Sequence, residues 1–167
     1  VPIDVGEASS TVIVEASSLH GNVSLFPAYT SAVTQLEVKF VVLGVLPANG
    51  RIVVTFPAGF NRKAAAINEP PTMMDGVVTV QVIGSDVIIQ RSGGSDIGPG
   101  VEVLIKLDGI YNPSVAGLTG SFVIKTSTND GTIIDQDNQV TGSSFLPGPL
   151  VDATLTLDSV QAGDVTC

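Results

Sequence analysis

Oxygen ligands are densest in "NDGTIIDQDN", where Asn129, Asp130, Asp135 and Asp137 fall within residues 129–138. Calcium takes six to eight such oxygens, so this acidic loop is one candidate cation site. Its spacing is not that of an EF-hand loop, and Asn129-Asp130-Gly131 already reads as a turn; calcium stays an alternative and no metal ligand is assigned. The single histidine, His20, lies in the polar stretch "SSLHGN" with no nucleophile motif around it. A Ser-His-Asp arrangement would need that one imidazole. No pair of carboxylates stands out for glycoside hydrolysis. "GGSDIGPG" does not lead from a strand into a helix, so it is no phosphate cradle. Neither a catalytic residue nor a cofactor is assigned. Cys167 is the sole cysteine, which rules out an internal disulfide and any Cys/His zinc spacing but leaves open a bond to another chain. Asn22-Val23-Ser24 is an acceptor triplet for N-linked sugar, and Asn22 is the assigned glycosylation site. Asn112-Pro113-Ser114 is spoiled by its proline.

The elements that position these residues are strands. The chain has 167 residues, 44% of them apolar, with 18 Gly, 10 Pro and no Trp. Valine, isoleucine and threonine crowd χ1 in helices and suit the pleated surface of a sheet. In "TQLEVKFVV", Leu36, Val38, Phe40 and Val42 alternate with Glu37 and Lys39, the period of a half-buried strand. "RIVVTF", "VVTVQVI", "DVIIQRS", "VEVLIKL" and "SFVIKTST" follow the same rule. Asn49-Gly50 and Gly84-Ser85 mark hairpin turns. Strands are expected over 34–42, 51–56, 77–83, 86–91, 101–107, 121–126 and 153–157. Their core is expected to hold Leu36, Val38, Phe40, Ile52, Val54, Phe56, Val103, Ile105, Phe122 and Ile124. Pro70 and Pro71 limit "NRKAAAINEPPTMMDG" to a connecting loop with at most one helical turn. Strands punctuated every eight to twelve residues give an all-β fold, an antiparallel Ig-like β-sandwich. Without Trp or paired Cys, "Ig-like" is an architectural statement only.

Charge narrows the partners. Sixteen acidic against seven basic residues give a net charge of −9, with no basic cluster to hold phosphates, so no nucleic-acid partner is expected. No run approaches the roughly 18 apolar residues of a membrane-spanning helix. Starting at Val1, the chain reads as a mature product or fragment.

Both termini carry surplus strand material, and 1–20 and 151–167 compete for the role of linking arm, the first being favoured. "EASS" recurs at a spacing of eight around Val12-Ile13-Val14, before the regular strands begin. At the other end, "VDATLTLDSVQAGDVTC" aligns without gaps on "NVSLFPAYTSAVTQ", with Leu157 on Leu25 and "DVT" on "AVT". The division expected is an extended N-terminal arm at 1–20, a sandwich at 21–158, and a tail or further start at 159–167. Val12, Ile13 and Val14 are the expected subunit interface, inserting into a groove of the next copy as an added strand.

Two stretches carry a family resemblance: "LPANGRIVVTFPAGF" (46–60) and "GIYNPSVAGLTGSFVIKTST" (109–128). They resemble repetitive Ig-like β-sandwich modules of cell-surface proteins from aquatic microbes, algae and protists among them. The chain is also similar to subunits of helical glycoprotein filaments recovered from natural water. The resemblance implies a structural, extracellular, glycosylated homopolymer joined through a terminal segment, with no catalytic residues. It implies that Pro57, Gly59, Asn112, Pro113 and Gly117 are turn formers. The alternative is a carbohydrate-binding or adhesive cell-surface module, for which Tyr29 and Tyr111 are the aromatic candidates because Phe40, Phe56 and Phe122 face inward.

Overall fold

A computed structural model describes residues 16–150, and within them every regular element is a strand. In chain order these are β1 (Ser17–Ser18), β2 (Asn22–Phe26), β3 (Val33–Val41), β4 (Arg51–Thr55), β5 (Val77–Ile83), β6 (Asp86–Ser92), β7 (Glu102–Tyr111), β8 (Gly117–Leu118), β9 (Ser121–Ser127), β10 (Ile133–Thr141) and β11 (Ser144–Phe145). One sheet runs β1-β10-β9-β4-β6-β5, the facing sheet runs β2-β3-β7, and β11 pairs with β8 in a small third ladder. Every pairing is antiparallel except that of β1 with β10. This is the antiparallel sandwich expected from the alternation. Strand 153–157 and the interface residues Val12, Ile13 and Val14 lie outside the described residues.

The alternating residues meet between the sheets. Leu36, Val38, Ile52, Val54, Val103, Ile105, Phe122 and Ile124 are fully buried, and Phe40 and Phe56 nearly so. Each such side chain contributes about 1.5–3 kcal/mol on leaving water. Phe56, Phe60, Phe122 and Phe145 form an aromatic cluster with ring centroids 5.3 to 5.6 Å apart, in the edge-on arrangement that the ring quadrupole favours. Leu19 is also buried, and its N–H donates to the Gln136 carbonyl at 3.1 Å. Residues 17–19, counted with the arm on sequence grounds, therefore rest on the sandwich.

Residues 61–72 form no helix. They run along the outer edge of β7, bridging Asn61 to Tyr111, Ala66 to Asp108 and Thr72 to Leu104. Gly109 permits this approach: its φ is +72°, and a Cβ there would run into the Ala64 carbonyl. The same residue lies at a register shift between β3 and β7, as a glycine in the left-handed region does at a bulge.

Two polar anchors tie loops to the sheets. The buried Asp135 carboxylate accepts from the N–H groups of Leu43 (3.2 Å) and Gly44 (2.9 Å) and from the Thr126 hydroxyl (3.2 Å). It thereby fixes the crossing from β3 in one sheet to β4 in the other. Arg91, likewise buried, donates to the carbonyls of Pro47 and Ser95 and to Asp75. The N–H of Ser95 holds the Asp75 carboxyl below its usual 3.8, with further help from the Arg91 charge.

Removing the Asp135 carboxylate strands two loop N–H groups, each costing about 1–3 kcal/mol if left unpaired. Asp135→Ala is expected to lower unfolding free energy by about 3 kcal/mol in urea titrations. Asp75 adds a pH signature. A carboxyl with a depressed folded pKa stabilises fully above its unfolded pKa, and that contribution fades as pH falls through the folded value. Asp75→Asn should melt below the wild type at pH 7, and the gap should close below pH 3.8.

Candidate assembly surface

The two ends of the sandwich differ in what they expose and which terminus they release. β1 lies parallel to β10 with Ser17 opposite Asp135, near the start of β10. Residue 16 therefore emerges at the end that also carries the 42–50 crossing and the 128–132 turn. β10 then runs for nine residues, about 30 Å at strand rise. Beyond it, Leu146 pairs with Tyr29 at the opposite end. The described chain thus enters at one end of the long axis and leaves at the other.

Apolar side chains stand in water at both ends, Leu43, Val45 and Ile133 at the entry end and a larger set at the exit end. At the exit end Phe26 is 82% exposed and Leu118 87%, and Val115, Leu146, Val33 and Tyr111 are exposed as well. A groove of about 330 Å³ opens there between Gly59, Pro113, Val115, Leu118 and Phe145. The phenylalanine cluster lies directly beneath, so the groove floor reaches the core. Val115 and Leu118, two of these exposed side chains, line the groove itself, and apolar exposure around a groove is a mark of contact surfaces.

Both stretches that carry the family resemblance converge on this groove. Gly59, with φ +93°, sits so close to Pro113 that an added Cβ would be 3.1 Å from its ring, and Gly120 packs similarly on Pro57. Asn112 is more than a turn former. Its side-chain amide donates to the carbonyls of Pro27 (2.9 Å) and Tyr29 (2.8 Å), and its own N–H donates to Ala32 at 2.9 Å. Three bonds from one buried residue pin the 27–32 loop to the end of β7. The sequence signal available was the Asn-Pro dipeptide, which marks a turn, but nothing local named the partner loop.

The other sequence candidates fall elsewhere. Asn22 is exposed at the start of β2, with Ser24 of its triplet exposed on the same face. His20 is exposed. The acidic stretch does not converge: Asp130 bonds to Thr128 and Thr132, Asp135 points into the sandwich, and Asp137 accepts from the Gly21 N–H at 3.1 Å. Among the described residues, no three His, Cys, Asp or Glu side chains gather as a metal site would require. No described helix is long and apolar enough to cross a membrane. Tyr29 and Tyr111 stand at the same end, each 42% exposed.

No family model matches the chain, and no curated protein matches it. Solved structures with a similar course of chain include a non-cellulosomal cohesin from the hyperthermophilic archaeon Archaeoglobus fulgidus, at 12% identity and TM-score 0.44, over 77% of this chain and 91% of that one. A cohesin module of a Clostridium perfringens family 33 glycoside hydrolase aligns at 14% identity and TM-score 0.36, over 77% of this chain and 100% of that one. A Vibrio harveyi GH20 exo-β-N-acetylglucosaminidase aligns at 11% identity and TM-score 0.42, over 86% of this chain but 20% of the enzyme. At these identities and scores the likeness is one of general sandwich architecture and carries no function across.

Asn112→Ala should release the 27–32 loop while leaving the sheets intact. The expected result is faster amide exchange confined to residues 27–32 and a loss of about 2 kcal/mol, from two side-chain bonds at about 1 kcal/mol each.

Proposed function

We propose that the chain is a structural subunit of an extracellular, glycosylated helical filament, polymerising head-to-tail by strand donation. One observation carries this reading: residue 16 leaves the sandwich at the end opposite the exposed apolar groove. Residues 1–15 of one copy would extend beyond its entry end and reach the groove of the next. Fifteen residues span about 50 Å when extended, more than the length of a sandwich. Val12, Ile13 and Val14 would then leave water at about 1.5–3 kcal/mol each, with ladder hydrogen bonds at about 1 kcal/mol apiece. A contact between two different ends does not close on itself, so it propagates as a filament. A net charge of −9 keeps unassembled copies apart. A sugar at Asn22 would project from the exposed face of β2, clear of the groove.

Tyr29 and Tyr111 at one end support a second reading, a carbohydrate-binding or adhesive module, since exposed aromatic faces stack on sugar rings. Retention of the isolated monomer on a glycan array would favour it.

The tests separate these readings. Full-length protein should form filaments under negative stain, and a chain lacking residues 1–15 should remain a folded monomer. Filaments of ordinary appearance from the shortened chain would contradict the proposed arm. In native material, mass spectrometry should find a glycan on Asn22; an unmodified Asn22 would remove the sugar from the account and leave the sandwich untouched.

A further inference from the structure

The β5 strand forms the far edge of the six-stranded sheet, and its sequence "VVTVQVI" holds no charge, no proline and no bulge. Other described edges are blunted. β10 carries two register shifts and the acids Asp135 and Asp137; β7 is covered by residues 61–72; β2 is five residues long and runs into Pro27. Such devices are how sheets avoid pairing with other chains, and β5 has none of them.

Its hydrogen-bonding direction follows from the turn. Ile83 faces Asp86 across the two-residue turn Gly84-Ser85, and the pair flanking such a turn exchanges both main-chain bonds. Ile83, Gln81, Thr79 and Val77 therefore spend their N–H and C=O groups on β6. Those of Val78, Val80 and Val82 point away from the sheet, and none bonds to another described residue.

The order of side chains about Val80 is close to a palindrome. Turned antiparallel on itself with Val80 opposite Val80, the strand sets Val78 against Val82 on the half-buried face. On the exposed face it sets Val77 against Ile83 and Thr79 against Gln81. Val77 and Ile83 are 64% and 54% exposed, so this register covers two apolar side chains per copy. It also places all the outward main-chain groups in hydrogen-bonded pairs, which repeat on the two sides of a two-fold axis.

We propose that β5 is a two-fold, self-pairing edge that joins a second copy of this chain side by side, fusing two six-stranded sheets into one. This contact is lateral and goes beyond the head-to-tail reading; neither depends on the other.

The test uses the full chain carrying V12D/I13D/V14D, which disables the arm, studied by sedimentation velocity. That protein should dimerise. Adding T79K/Q81K sets lysine opposite lysine twice across the axis, on exposed positions that leave the monomer's core alone, and should halve the mass with unchanged thermal melting. T79K/Q81E sets lysine opposite glutamate in the same register and should restore the dimer. A mass unaffected by T79K/Q81K, a monomeric T79K/Q81E, or a monomeric arm variant at the outset would each overturn the proposal. The last result would assign the edge to residues 12–14 if intact protein shows it paired. Continued filament growth by the arm variant would contradict the head-to-tail reading alone, because the lysine pair is still read as a change in mass or filament width.

Discussion

A sandwich of two open sheets must deal with its strand edges, and the architecture of this chain depends on how each one is handled. Buried main-chain groups need partners, and exposed ones invite foreign strands. The β7 edge is closed from within by residues 61–72, whose approach relies on the positive φ of Gly109. β10 is partly covered by β1, which brings in the start of the described chain. The remaining edges and the apolar end are what the proposed assembly would use.

Internal closure rests on a few buried polar groups. Asp135 anchors the crossing between sheets, Arg91 gathers the 47, 75 and 95 loops, and Asn112 fastens the exit-end loop. Each satisfies backbone groups that have no ladder partner. The two orphans among them, Arg91 Nε and Asn112 Oδ1, are small exceptions in networks that are otherwise paired. Because the anchors sit at both ends, each end is a shaped surface rather than a spray of loops. An apolar groove at one end, fixed in shape, is then available to a segment emerging from the other.

Period-two alternation made the strands legible. Leu36 to Val42 and Ile52 to Phe56 point inward as their spacing requires, because a one-residue slip would turn the whole apolar set into water. The loops were less legible, since their partners are distant in sequence. Asp135 read as one of several oxygens in an acidic stretch; its bonds to Leu43 and Gly44 span about ninety residues, and no local pattern encodes them. Asn112 read as a turn residue for the same reason. A charged residue in strand alternation, Arg91, gave no sign of its burial, because its partners are carbonyls on three separate loops. Residues 17–19 looked like arm because two serines and a histidine surround the one apolar residue that docks. The groove itself was visible only as two motifs rich in glycine and proline, and the fold explains those types by the close contacts of Gly59 with Pro113 and Gly120 with Pro57.

The central claim is directional: a terminal segment of one copy occupies the apolar end of the next. A density map of assembled material, at a resolution that traces the main chain, tests it most directly. The account predicts residues 12–14 of each copy lying against the Gly59–Pro113 groove of its neighbour, in an open head-to-tail series. Residues 12–14 packed on their own sandwich, or neighbours joined with that groove empty, would contradict it.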